Sequence, residues 1–256
     1  MDQTLAEKNG LAERLSSALS KDEFLLFYQS ILPLTSGAED RPFQEILIRF
    51  QEEEAKLLPP GTFFPLLEEN GLISYVDRWV INRITKWVRM ARTIKPDWKV
   101  PCNAINLSPQ TLHLASFTDF VKRHVEVARL PDGTLCFELI WEDALEHAEA
   151  LIRCATMLKP LGCRFTVARF EGSPGSFYFL KMLSPHYVKF APRVVMDIDR
   201  GGLTAARALH AECEALGIQT IAEYVESEQV LSELQGIGVH HAQGFAIEAP
   251  QALADC

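Results

Sequence analysis

The segment Ile218-Gln219-Thr220-Ile221-Ala222-Glu223-Tyr224-Val225-Glu226 decides how the rest of the chain is interpreted. It contains a short apolar run with β-branched residues, reaches a carboxylate at Glu223, and precedes Ser227, a residue type that commonly caps helices. This pattern predicts a buried strand whose C-terminal end carries an acid, followed directly by a helix.

Several other short apolar segments end on a polar residue in the same way, at Asn106, Glu138, Lys189 and Gln243. The exception is the segment 165–169, which ends on Ala168-Arg169. Helical stretches separate these segments, and strands that alternate with helices at this interval form parallel β-α units. About eight such strands close a barrel, and one face of a barrel gathers the C-terminal strand ends. We therefore expect these side chains to meet at a single site.

The start of the predicted barrel departs from the parallel pattern. Segments 24–32 and 43–50 are strand-like, and only the turn-rich residues 35–42 join them. Because that connection is too short for a crossover helix, the first two strands are expected to pair antiparallel. The predicted fold class is α/β, a modified TIM (β/α)8 barrel with its first strand antiparallel, over residues 23–256.

The first residues are expected to form a separate element. Residues 1–22 are predicted to be an amphipathic helix or linker, because four apolar residues fall on one helical face. These residues are Leu11, Leu15, Ala18 and Leu19.

The composition is that of an acidic globular protein. The chain has 256 residues, 48% of them hydrophobic, and a formal net charge of -9. This charge argues against a nonspecific nucleic-acid binder, because binding along phosphates needs a basic face and the sequence offers none. The six cysteines include no C-x-x-C pair, which favours reduced core residues over disulfides or zinc.

No segment of the sequence predicts membrane insertion. The first ten residues are polar, unlike a signal peptide, and no apolar run approaches the ~18 residues of a membrane span. A cytoplasmic protein, or the cytosolic part of a larger protein, is therefore expected.

A series of short motifs, in the same order along the chain, resembles those of the EAL domain family. The motifs are Phe27-Tyr28-Gln29, Glu45-Ile46-Leu47-Ile48-Arg49, Gly71-Leu72-Ile73, Asn106-Leu107-Ser108, Phe137-Glu138-Leu139, Lys189, Ala222-Glu223-Tyr224-Val225-Glu226 and Gln243-Gly244-Phe245. EAL domains are bacterial domains that hydrolyse the second messenger cyclic di-GMP to the linear dinucleotide. The resemblance covers about residues 24–250 and implies a barrel whose first strand is antiparallel.

The resemblance also implies roles for individual residues. Active members of the family hold two divalent ions, usually magnesium or manganese, which generate the attacking hydroxide. The positions that match metal ligands are Glu45, Asn106, Glu138 and Glu223, and Lys189 matches the lysine that orients or activates the water. The positions that match ligand contacts or their supports are Leu47, Arg49, Glu226 and Gln243, with Arg49 directed at a phosphate.

This sequence departs from the family pattern at the end of one strand. Where the family has Asp-Asp-Phe-Gly-Thr-Gly, this chain has Ala168-Arg169-Phe170-Glu171-Gly172-Ser173. Both metal-bridging aspartates are thus replaced, and three glutamates remain against Lys189 and Arg169. That balance of charge is too positive for two hard cations, and without them bound water keeps a pKa near that of bulk water. The sequence therefore favours a domain with no metal cofactor and no intact catalytic set.

The retained residues favour a receptor that binds cyclic di-GMP without hydrolysing it, as some degenerate members of the family do. Arg169 either supplies fixed positive charge to the phosphates or pairs with Glu223 or Glu138, and repulsion among the retained acids favours the ion pair. The alternatives are a protein-interaction module that no longer binds nucleotide and a weak residual phosphodiesterase. A protein partner, an upstream regulatory domain and a homodimer are each compatible with the sequence.

Overall fold

A computed structural model describes residues 14–19, 21, 23–35, 41–51, 57–58, 60–173, 175–196, 198 and 202–254. Residues 14–19 are helical, and Leu15 and Ala18 are buried in the main core, as the amphipathic pattern predicts. Leu11 lies outside the described residues. The division of the chain at residue 22 stays a prediction.

The strands of the described residues belong to one sheet. They are β1 (Phe24–Ser30), β2 (Leu32–Pro33), β3 (Phe43–Gln51), β4 (Leu57–Leu58), β5 (Cys102–Asn106), β6 (Leu135–Ile140), β7 (Arg164–Phe170), β8 (Tyr187–Phe190), β9 (Gln219–Ala222), β10 (His241–Ala242) and β11 (Gln251–Ala252). The sheet runs in the order β11, β1, β3, β5, β6, β7, β8, β9, β10, β2, and β4 pairs with β3. Because β2 follows β1 in the chain yet pairs with β10, this connection brings the two edges of the curled sheet together.

The strand directions confirm the predicted modified barrel. Strands β3 and β5 to β10 pair in parallel, whereas β1 pairs antiparallel with β3. In the β1–β3 register, Gln29 lies opposite Glu45 and Phe27 lies opposite Leu47. The antiparallel first strand therefore contributes side chains to the same end of the barrel as the parallel strands.

Helices cover the outside of the sheet. They are α1 (Pro60–Glu69), α2 (Ile73–Ile94), α3 (Pro109–Leu112), α4 (Phe117–Ala128), α5 (Trp141–Glu146), α6 (Ala148–Leu158), α7 (Ser176–Leu183), α8 (Pro192–Met196), α9 (Leu203–Ala215) and α10 (Glu228–Ile237). Helix α2 buries Val76, Val80, Ile84 and Val88, which recur every four residues along one face. Helix α10 begins where Ser227 accepts a hydrogen bond from the backbone N–H of Val230, as the opening segment predicts.

The apolar side chains form two buried clusters. The larger lies between the sheet and the helices, and a smaller one fills the barrel interior with Phe43, Cys102, Ala104, Cys136 and Tyr187 among its members. The prediction of reduced core cysteines is confirmed for the five that the structure describes, since all five are free and buried. None of the described helices has both the length and the apolar character needed to cross a membrane.

Candidate functional site

The polar side chains predicted at the strand ends converge on Lys189, which projects from β8. Lys189 is fully buried, and its Nζ donates to Glu45 Oε2 at 2.7 Å and to Glu138 Oε1 at 3.0 Å. Burial alone would lower the pKa of Lys189, but the charges of Glu138 and Glu45 raise it above the usual value. The lysine is therefore a fixed cation between two acids that are carried by β3 and β6.

Both carboxylate oxygens of Glu45 have partners. Asn106 Nδ2 donates to Oε1 at 3.1 Å, and Gln243 Nε2 donates to Oε2 at 2.8 Å. Burial acts to raise the pKa of Glu45, but the charge of Lys189 and these hydrogen bonds hold it below the usual value. Gln29 Oε1 also accepts from Gln243 Nε2, at 3.1 Å. Gln29 was missing from the predicted site, although it stands in one of the motifs quoted above.

Glu138 is the acid of this site that is most weakly paired for its burial. Its Oε2 is buried and has no hydrogen-bond partner among the described residues. Burial raises the pKa of Glu138 to about 7, against the opposing effect of the Lys189 charge. A large fraction of this carboxyl group is therefore protonated near neutral pH.

The stability of the protein is expected to depend on this proton. The pKa of Glu138 is about 7 in the fold against 4.5 for an ordinary glutamate. The proton on Glu138 therefore contributes its full stabilisation below pH 4.5, and this stabilisation is lost as pH rises through about 7. The free energy of unfolding of the wild type, relative to Glu138→Gln, should rise by about 2–3 kcal/mol from about pH 8 to about pH 5. Urea titrations at the two pH values measure this difference, and a constant difference would contradict the shifted pKa.

The predicted ion pair between Arg169 and Glu223 or Glu138 is wrong. Arg169 is exposed and makes no ion pair or hydrogen bond with either glutamate in the described part of the chain. Its backbone has φ +56°, at the point where the pairing of β7 with β8 shifts register between Val167 and Phe170. Lys189, rather than Arg169, provides the internal cation for Glu45 and Glu138.

Glu223 lies at the edge of this network. Burial raises the pKa of Glu223, and the charges of Lys189 and Arg169 act to lower it without direct contact. The loop that carries Glu223 is fixed by its backbone, since Val225 N–H donates to the carbonyl of Gln243 at 3.0 Å. A Cβ atom at Gly244 would overlap the backbone of Val225, so glycine is required for this close approach.

The converging side chains border two adjoining cavities at the barrel mouth. One has a volume of about 620 Å³ and extends beneath α1, and the other, of about 320 Å³, lies over Glu45 and Glu223. Both are lined by Leu47, Asn106, Glu138, Ile140 and Arg169. The two spaces therefore form one cleft with Arg169 in the wall that they share.

The rim of the smaller cavity combines cations with exposed rings. Arg49 lines it, with its guanidinium group 5.7 Å from the centre of the Phe27 ring. Tyr224 and Phe245 are 55% and 69% exposed at the same rim, and Glu226 also lines it. Tyr224 and Phe245 were not predicted as site residues, although the available signal was an aromatic residue just after Glu223 and another just after Gln243-Gly244.

The fold, the motifs and the strand-end site define an EAL domain. The sequence model of that family matches residues 12–250, so this chain belongs to the EAL domain family.

Curated relatives share this domain within longer proteins. Cyclic di-GMP phosphodiesterase PdeB of Shewanella oneidensis is 29% identical over 245 residues, which is 95% of this chain but 28% of that protein. Cyclic di-GMP phosphodiesterase PdeF of Escherichia coli is 27% identical over 258 residues, with 100% of this chain and 34% of that protein covered. This chain thus spans about a third or less of these relatives.

Solved structures agree with the fold. The EAL domain of FimX from Pseudomonas aeruginosa, bound to cyclic di-GMP, matches with a TM-score of 0.84 at 25% identity, over 93% of this chain and 94% of that one. The EAL domain of Xanthomonas citri FimX matches with a TM-score of 0.89 at 22% identity, over 99% and 98% of the two chains, and supports the fold alone.

Proposed function

We propose that this domain is a receptor that binds cyclic di-GMP without hydrolysing it. The observation that carries the proposal is the C-terminal part of β7, where Ala168 and Arg169 stand in place of the family's two metal-bridging aspartates and line the smaller cavity beside Glu45 and Glu138.

The donor set does not suit the two divalent ions that active relatives use. Both oxygens of Glu45 and one oxygen of Glu138 already accept hydrogen bonds, and the described residues contain no group of three or more His, Cys, Asp or Glu side chains arranged to hold a metal. Two hard cations need several charged oxygen ligands, and the neighbouring guanidinium of Arg169 would repel them. The site therefore lacks the means to lower the pKa of an attacking water.

The same charges suit a phosphate ligand. Arg169 stands in the wall common to both cavities and Arg49 lines the smaller one. A guanidinium group binds phosphate oxygens in a bidentate manner and keeps its charge at any relevant pH. Bound cyclic di-GMP in the similar FimX EAL domain supports this choice of ligand.

The charges retained in the cleft argue against the alternative of a protein-interaction module that does not bind nucleotide. Lys189 and Glu138 are buried and the Glu45 side chain beside them is only 13% exposed, and buried charges cost folding free energy unless they are well paired. Glu138 Oε2 has no partner at all among the described residues, which is a cost that a purely structural barrel has no reason to keep.

A residual phosphodiesterase is the second candidate, and the same Glu138 oxygen favours it. A single free carboxylate oxygen beside Asn106 could take part in holding one ion, and the curated relatives are named as phosphodiesterases.

Calorimetric titration with cyclic di-GMP, with and without a chelator, separates these candidates. We expect micromolar binding that the chelator leaves unchanged, and no linear dinucleotide after incubation with magnesium or manganese. Binding that the chelator abolishes, or product formed at rates typical of the family, would contradict the receptor. Absence of binding would favour the interaction module.

A further inference from the structure

A basic groove lies on the outside of the barrel, between α2 and α4. It has a volume of about 190 Å³, and its lining includes Lys86, Arg89, Arg123, His124, Val127 and Ala128. All residues from 60 to 173 are described, and none of those lining this groove is acidic. None of them lines the cleft at the barrel mouth.

This concentration of positive charge runs against the charge of the whole protein. The chain carries a formal net charge of -9, and its sequence shows no basic face. The structure corrects that interpretation locally, because two helices well apart in sequence bring Lys86 and Arg123 to one groove. Lys86, Arg89 and Arg123 are exposed, and none makes an ion pair with the acids of the described chain.

Favourable interactions with the helix dipoles do not explain why these cations stand in the groove. Cations in the last turn of a helix are stabilised by the helix dipole, and on α2 that position is taken by Arg92. Lys86 lies a turn or more further from the end, and α4 has no basic residue in its last turn. Like charges gathered in one groove repel each other, so the contacts among these cations do not stabilise the two helices.

The groove also contains an exposed apolar contact. Val127 is 68% exposed, and the uncharged residues Ala128 and Thr85 also line the groove. A concave strip with an apolar side chain and a cationic rim is complementary to a narrow, convex segment that carries both acids and an apolar residue.

We propose that the α2–α4 groove docks an acidic, amphipathic segment of a partner protein. A flat anionic membrane does not match the concave shape, and a membrane or nucleic acid would bring a long array of negative charge close to a protein that is itself acidic. A short acidic segment meets the local cations while the rest of the partner lies beyond the Debye length of about 8 Å at physiological salt. The proposal concerns the outer surface and does not depend on what binds at the barrel mouth.

Fluorescence anisotropy with a defined peptide tests the proposal. The probe is a helical peptide with glutamates along one side and leucines along the other, and a peptide of the same composition with scrambled order is its control. The test protein is Lys86→Glu/Arg123→Glu, and the matched control is Lys181→Glu/Arg207→Glu, which changes the net charge equally at exposed positions elsewhere. We expect the groove variant to bind roughly tenfold or more weakly than wild type and the control variant to bind within about twofold.

Further measurements make the outcome decisive. The thermal midpoint of the groove variant should equal or exceed that of the wild type, because the substitutions relieve repulsion between like charges. Equal weakening in the groove and control variants would overturn the proposal, since it would reflect net charge alone. The proposal would also fail if the same substitutions abolished binding to phosphatidylglycerol vesicles or to heparin but not to the peptide, or if they abolished a concentration-dependent self-association of the chain.

Discussion

Replacing Lys189 with methionine is expected to lower the free energy of unfolding by about 3–5 kcal/mol at about pH 8, because it leaves the buried Glu138 and the partly buried Glu45 without their cation. The ammonium group of Lys189 is fully buried and lies 2.7 Å from Glu45 Oε2 and 3.0 Å from Glu138 Oε1. Methionine retains most of the apolar volume of lysine, so the loss reflects charge rather than a cavity. Thermal unfolding should show a midpoint lower by about 10 °C for a chain of this length.

Two controls separate the charge effect from general damage to the barrel. The triple variant Glu45→Gln/Glu138→Gln/Lys189→Met removes all three charges together and is expected to recover most of the lost stability. For Lys189→Met alone, the deficit should shrink as the pH falls from about 8 to about 5, because the unpaired carboxyl groups then take up protons. A single variant as stable as the wild type would show that this cluster does not hold the strand ends together.

The position of the site could be predicted from the sequence because strand polarity decides it. Each short apolar run ends on one polar residue, and parallel strands place those ends on one face, so Glu138 and Lys189 were expected at the same end of the barrel although β7 lies between their strands. The antiparallel first strand followed from the short connection between residues 35 and 42. Gln29 was not predicted as a site residue, because its position opposite Glu45 depends on the exact register of the hairpin, which loop length alone does not fix.

The partner of each charge could not be predicted from the same pattern. Regular alternation along β7 does not show that its pairing with β8 shifts register between Val167 and Phe170. At that irregularity Arg169 adopts a positive φ and is exposed, so the choice between an ion pair and a free guanidinium rests on local backbone geometry. The basic groove was missed for a related reason, since Lys86 and Arg123 belong to different helices and meet only in three dimensions.

Because Arg169 is free of the internal network, Arg169→Ala is expected to weaken cyclic di-GMP binding by more than about tenfold. The guanidinium group lies in the wall common to both cavities, where the phosphates of a ligand spanning the cleft would pass. Arg169→Lys should retain part of the affinity, because lysine keeps the charge but lacks the bidentate geometry. Calorimetric titration of the three proteins measures the difference.

Stability separates this role from the alternative in which Arg169 supports the empty pocket. An exposed arginine without an ion pair contributes little to folding, so the thermal midpoint of Arg169→Ala should stay within about 1 °C of the wild type. Arg193→Ala is a matched control, since Arg193 is exposed close by and pairs with Glu171 without lining either cavity. Its affinity for cyclic di-GMP should not change. If Arg169→Ala bound the nucleotide as tightly as the wild type, the phosphates would be held by Arg49 and the barrel mouth alone, and the cation at the end of β7 would have no part in recognition.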